Sequence, residues 1–321
     1  MSTLSALLDK GFYRTPTMYI SHAFSLSTFY LPSRKPKIAK RARDIYVTLA
    51  FIQMNNVQKP IHRSRLRQIV GKEYFIWKRR MKWWLGSENW TEQKALFANS
   101  YSVFKHKSMI LRPLKDVDMY LQENKRTNLK IAIEKINGTE IKPGQTFSLW
   151  KNVGRPTKAK GYLEGLVLKQ GRIAKDIGGG LCQLGNLLFW IVAHSPLKVI
   201  ERHRHGFDVF PDVNRKVPFG AGATLSYNYI DLQFTNPTEV DFQIKLWMDD
   251  EYLHGELISS EKINSTFSIE ERNHHMNQQM WGGYTRHNQI FKIEEEFDGN
   301  ITEHLLVENH AIMMYNPFIE S

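Results

Sequence analysis

IGGGLCQLGNLLFWIVAHSPL, residues 177–197, places the only cysteine of a 321-residue chain directly behind three glycines and opens a strongly apolar run on it. Residues 181–194 read as a buried helix stopped by Pro196, since proline cannot continue the helical hydrogen-bond ladder. Glycines let the backbone take dihedrals closed to other residues, and the helix that follows offers free N–H groups and a positive dipole end. Both effects favour a thiolate at Cys182. The same turn is a candidate oxyanion hole, formed by the N–H groups of Gly180, Leu181 and Cys182 with the side-chain amide of Gln183. The alternative keeps Cys182 as a small buried apolar residue, the commoner place of a free cysteine.

Upstream, residues 118–137 read as a helix with Asp118 as its cap and Gly138 at its end. Pro143-Gly144 makes a turn, 146–150 is extended, 151–160 is a basic loop and 163–170 is extended again. Downstream come β-type stretches at 198–203, 223–234, 240–247 and 252–258. Asp298-Gly299 marks a hairpin between 290–296 and 301–307. This order predicts an α+β fold: an antiparallel sheet packed against the buried helix that starts at the Gly-Gly-Gly-Leu-Cys turn, with a basic helical N-terminal region. Residues 1–33 are read as without predicted order, 34–115 as the basic, mostly helical region and 116–321 as the main domain.

Apolar residues make up 42% of the chain, enough for a full core. A single cysteine cannot form an intramolecular disulfide. No stretch has the length and apolarity of a transmembrane helix, and 1–33 lacks a basic start followed by an apolar core, so the expected location is cytoplasmic, with a peripheral place on the membrane as a variant. The net charge is +12, yet residues 34–82 hold fifteen Lys or Arg against Asp44 and Glu73, which leaves the rest of the chain close to neutral. Within that segment Leu66, Val70, Tyr74, Trp77, Met81 and Trp84 form a helical stripe among Arg65, Arg67, Lys72, Lys78, Arg79, Arg80 and Lys82. Two readings stand: a basic amphipathic helix over 65–84 lying on an anionic membrane surface, or a helix whose stripe packs on the main domain. Nucleic acid is disfavoured, because no recognition motif accompanies the charge.

A cysteine acyl transferase needs a base near the thiol, and His203 or His205 would supply it from one face of a strand. Asp208 is the preferred group to orient the ring, with Glu201 the alternative. Candidate substrate contacts are Arg155 in the basic loop, with Lys158 and Lys160, together with Asn186, one turn after Cys182, and Arg202. His203, His205 and Cys182 would make a three-ligand zinc set, weak evidence without a second cysteine, so no metal is assigned. His194 reads as a helix C-terminal residue, and Tyr227 and Tyr229 read as packing residues on a strand.

GGGLCQLGNLLFW and HSPLKVIERHRHGFDVFPD, with the flanking segments YLQENKRTNLKIAIEKINGTEIKPGQTFSLW and GAGATLSYNYIDLQFTN, resemble the VanW family from about Tyr120 to Asn316. The resemblance implies cell-wall biology in Gram-positive bacteria. It also implies that some members act as cysteine-dependent L,D-transpeptidase-like enzymes with the pattern GGGxCQ, ERHxH and DAT. The first two stand here as Gly178 to Gln183 and Glu201 to His205, whereas the third reads Gly222-Ala223-Thr224 and lacks its carboxylate. The expected activity is acyl transfer on peptidoglycan stem peptides through a thioacyl enzyme, with no cofactor. The alternative is a non-catalytic accessory protein of the glycopeptide-resistance type that binds a wall precursor or a membrane partner.

Overall fold

The computed structural model describes residues 64–92, 94, 97, 100–111, 118–169, 172–204, 206–209, 217–280 and 282–318. Two compact units divide the chain, Met1–Lys72 and Glu73–Ser321, and every described sheet belongs to the second. That unit is α+β, with antiparallel sheets and few helices.

Helix α1, Arg65–Leu85, comes first. Strand β1, Tyr101–Met109, follows in a span expected to be mostly helical; its alternating exposure is that of a strand with one face covered. Helix α2, Met119–Ile136, buries Leu129, Ala132, Ile133 and Ile136. Asp118 sits at its N-cap position, but its carboxylate accepts from Lys175 Nζ at 3.1 Å and makes no cap hydrogen bond. Strands β2, Glu140–Ile141, and β3, Thr146–Ser148, lead into α3, Leu149–Val153. The extended stretch expected over 146–150 therefore ends early, because the Ser148 hydroxyl accepts the Lys151 N–H and caps a short helix.

Strands β4, Glu164–Lys169, and β5, Arg172–Ile177, form a two-stranded arm that delivers the chain to α4, Cys182–Ala193. Next come β6, Lys198–Glu201, and β7, Phe207–Asp208. The strand expected over 223–234 is reduced to β8, Gln233–Thr235. Its earlier residues bond to side chains instead of a ladder, as when Ala223 N–H donates to Asn186 Oδ1 and Asp231 N–H to Glu201 Oε1. Tyr227 and Tyr229 thus lie in a turn, the first edge-on to Trp150 and the second beside Phe75. Strands β9, Phe242–Met248, and β10, Tyr252–Ser259, precede the long β11, Ser265–Gln278, β12, Tyr284–Glu296, and β13, Ile301–Met313. The last two are joined at Asp298-Gly299 as a hairpin.

The core lies on the sheet ordered β1-β10-β9-β2. Phe242, Ile244 and Leu246 of β9 and Leu253 and Leu257 of β10 alternate inward, where they meet Leu184, Leu187, Leu188, Ile191 and Val192 of α4. Each such side chain contributes about 1.5–3 kcal/mol on burial. A second sheet runs β11-β12-β13-β7, and a third, β3-β8-β6, stacks Phe147 on Phe234. His194 ends α4, with Nδ1 2.8 Å from the Trp190 carbonyl and its ring stacked on Phe104.

The anticipated stripe of α1 does not pack: Trp77 is 59% exposed and Trp84 78%. The opposite face is covered instead, with Ile76 buried, Trp83 edge-on to Trp90, and Arg79 paired to Glu201.

Candidate functional site

The glycine turn ahead of Cys182 is built by backbone contact. Gly180 has φ +93°, a conformation that side-chain-bearing residues avoid, and a Cβ there would also strike Lys125 Cγ at 2.2 Å. Gly179 is pressed on Gly165 of β4 so closely that a Cβ would lie 2.1 Å from the Gly165 carbonyl carbon. Fully buried Asn128 of α2 fastens the turn, donating from Nδ2 to the Gly179 and Leu163 carbonyls and accepting the Leu163 N–H. Gly179 and Gly180 therefore have a packing explanation.

Around the thiol two of the candidate oxyanion donors are already committed. Gly180 N–H donates to the Leu166 carbonyl at 3.0 Å, and the Gln183 amide donates to Ser108 Oγ at 2.9 Å and to the Met109 carbonyl at 2.8 Å. Leu181 is buried in the core at the helix N-cap position. Cys182 Sγ faces the Leu225 carbonyl at 3.9 Å. The residue keeps some solvent contact, yet burial around the sulfur pushes the Cys182 thiol up, against the lowering contacts of the Leu225 and Cys182 backbone. This direction is opposite to the one expected from the glycine turn and the helix end, because desolvation disfavours the charged thiolate.

The Glu-Arg-His-Arg segment that begins on the last residue of β6 is divided between two networks. In the first, Glu201 takes a bidentate pair from Arg79 at 2.7 and 2.8 Å, and His203 Nε2 lies 3.5 Å from its Oε1. Burial would raise the Glu201 pKa, but His203, Arg79 and the Asp231 N–H hold it at about 2. Beside it, fully buried Asp231 accepts from Ser148 Oγ, Gln233 Nε2 and the Trp150 N–H, and burial still pushes its pKa up to about 6. The carboxylate against His203 is thus Glu201, the alternative, and not Asp208.

Asp208 belongs to the second network, on β7, accepting from Tyr315 OH at 2.9 Å and pairing with buried Arg286 at 3.4 Å. Arg286 also donates to His274 Nε2, and Arg204 donates to the His310 carbonyl. His203 follows the end of β6, so the strand-face argument that pointed His203 and His205 the same way fails; His205 lies outside the described residues. The His203 carbonyl accepts the Thr224 N–H at 2.7 Å, one residue before the carbonyl that faces Cys182.

Arg155 pairs with Glu73 at 2.7 Å, with its guanidinium 6.0 Å from the Tyr227 ring centre. Asn186 Oδ1 holds the Ala223 N–H, and a Cβ at Gly222 would come within 2.8 Å of it. Arg202 donates to the Gly222 and Gly220 carbonyls and covers Phe189; burial, then Arg204, lower its pKa to about 10. All three are occupied with the protein itself. Among the described residues no three His, Cys, Asp or Glu side chains converge to hold a metal. A depression of about 310 Å³ lined by Trp90, Lys142 and Gln145 contains none of the candidate site residues.

Arg79 and Asp231 were absent from the sequence-derived site. Asp231 carried a signal, a carboxylate between Ile230 and Leu232 in an apolar stretch; Arg79 carried none, being one cation among many.

A family model described as VanW like protein matches residues 124–258. The chain is 40% identical over 152 residues to the Vancomycin B-type resistance protein VanW of Enterococcus faecalis, covering 47% of this chain and 55% of that protein. It is 29% identical over 141 residues to the uncharacterized protein YoaR of Bacillus subtilis, covering 43% and 44%. The chain spans about half the length of the curated relatives it matches. No solved structure matches.

Proposed function

The chain belongs to the VanW family through residues 124–258, and from that premise we propose that it is an accessory protein of the vancomycin-resistance type that binds a peptidoglycan precursor without acylating it. One observation carries this reading: Gly180 N–H and the Gln183 amide, two of the donors that a thioacyl mechanism would draw on, are spent on holding the fold. The thiol is desolvated against the Leu225 carbonyl, and Gly180 N–H and the Gln183 amide bond to protein carbonyls. The position where the resemblance implies a carboxylate is Gly222, where a Cβ would crowd Asn186. An oxyanion hole drawing on Gly180 N–H or the Gln183 amide would require the turn to release these bonds, each a buried group costing about 1–3 kcal/mol when left unmade.

The competing reading, a cysteine acyl transferase, draws on one feature, the Glu201–His203 pair. Intact mass after incubation with a tetrapeptide-stem muropeptide, and separately with a carbapenem, separates the two. We expect no adduct, saturable binding of the muropeptide that survives Cys182→Ala, and alkylation of Cys182 only under denaturant. An adduct on the native chain that is missing from Cys182→Ala establishes the transferase instead.

A further inference from the structure

Helix α1 has two apolar faces, and among the described residues only one is covered. Between Glu73 and Leu85, the covered face holds Ile76, Trp83 and the stem of Arg79, whose guanidinium is locked by Glu201. The other face presents Tyr74, Trp77, Trp84 and Leu85, exposed by 40%, 59%, 78% and 67%. At 100° per residue these four fall in one sector with Met81, and Lys78, Lys82 and Arg80 fall along its two rims. Lys82 pairs with Glu88 and Arg80 donates to Tyr227 OH, so both are exposed and held close to the face. In the first turns of the helix, Leu66, Ile69 and Val70 are exposed as well. No described helix is long and apolar enough to cross a membrane.

Large amphipathic rings on the open side of a helix, edged by cations, match the chemistry of a bilayer interface, where aromatic rings sit at headgroup depth and Lys or Arg meet lipid phosphates. We propose that the outward face of α1 from Glu73 to Leu85 docks on an anionic phospholipid surface. Charge selects this occupant over a second copy of the chain, since twofold packing of the face on itself would bring like cationic rims together. The fifteen-to-two excess of Lys and Arg over acids in residues 34–82 has the same sign as those rims. Because the inward face is fastened by Ile76 and the Arg79–Glu201 pair, docking of this helix would hold the sheet carrying Glu201 at a fixed angle to the lipid surface. The proposal is independent of whether Cys182 acylates.

The test is co-sedimentation of the full chain with vesicles of phosphatidylglycerol and phosphatidylcholine, and with phosphatidylcholine alone. The expected result is binding to the anionic vesicles that weakens with salt and with loss of phosphatidylglycerol. Trp77→Ser/Trp84→Ser/Leu85→Ser lowers the partition about a hundredfold, and Lys78→Glu/Lys82→Glu about tenfold. Both variants keep the thermal midpoint of the native chain, because none of the five side chains is buried. The proposal is overturned if the native chain ignores anionic vesicles or binds neutral ones equally. It is equally overturned if the triple substitution leaves binding unchanged, or if light scattering shows a dimer that this substitution turns into a monomer.

Discussion

His287 of β12 stands opposite His310 of β13 with their Nδ1 atoms 2.7 Å apart, so one ring must donate and the other accept. Burial, then His310, His275 and Arg204, depress the His287 pKa to about 4. With the folded value below the unfolded 6.5, the unfolded chain takes up a proton that the folded chain refuses. Stability is therefore full above pH 6.5 and falls as pH drops toward 4. Asp231, raised to about 6, acts in the opposite sense, since it costs stability as pH rises through that value. The readout is accordingly a difference: the thermal midpoint of His287→Gln should decline less than that of the native chain between pH 7 and pH 4, and parallel curves would refute the assignment. Counting outward from a two-residue turn at Asp298-Gly299 sets His287 against His310, the pairing observed. The strands reach it indirectly: next to the turn Glu295 pairs with Ile301, a register that would set His287 against Asn309, and a bulge at Leu306 restores the pairing with His310.

At the scale of elements, α4 approaches the core sheet where β10 has no side chain. A Cβ on Gly255 would lie 2.6 Å from Ile191 Cδ1 and 3.0 Å from Leu187 Cδ2. Gly255→Ala should therefore destabilise the protein by about 1–3 kcal/mol in denaturant unfolding, as overpacking of a filled core does. Gly206→Ala, with nothing within 4 Å among the described residues, should change stability by no more than a few tenths. Helix α4 was legible because apolar length, glycine start and proline stop agree locally. For α1 the spacing was equally clear, but two apolar faces competed. Burial went to the one with partners in Trp90 and Glu201, which lie outside the helix and cannot be read from its period.

At the scale of the whole molecule, Arg79 reaches across 122 residues of chain to Glu201, with Asp231 3.9 Å from the same guanidinium. Removing it by Arg79→Ala strands a half-buried carboxylate beside a fully buried one, and should cost about 3 kcal/mol. Replacing both partners, as Arg79→Met/Glu201→Leu, should recover most of that loss in chemical denaturation; a double variant no better than the single would show that the pair is incidental. The residues by themselves determined what depends on neighbours in the chain: the α+β order, the helix behind the glycines, the Asp298-Gly299 hairpin and the likeness to the VanW family over residues 124–258. The use of each polar group was decided only in three dimensions. A hydrogen bond is satisfied by whatever the fold brings within about 3 Å. The fold brought Leu166 to Gly180, β1 to Gln183, Glu201 to His203 and Arg286 to Asp208, so a motif that reads as catalytic along the chain is, in space, largely a set of structural bonds.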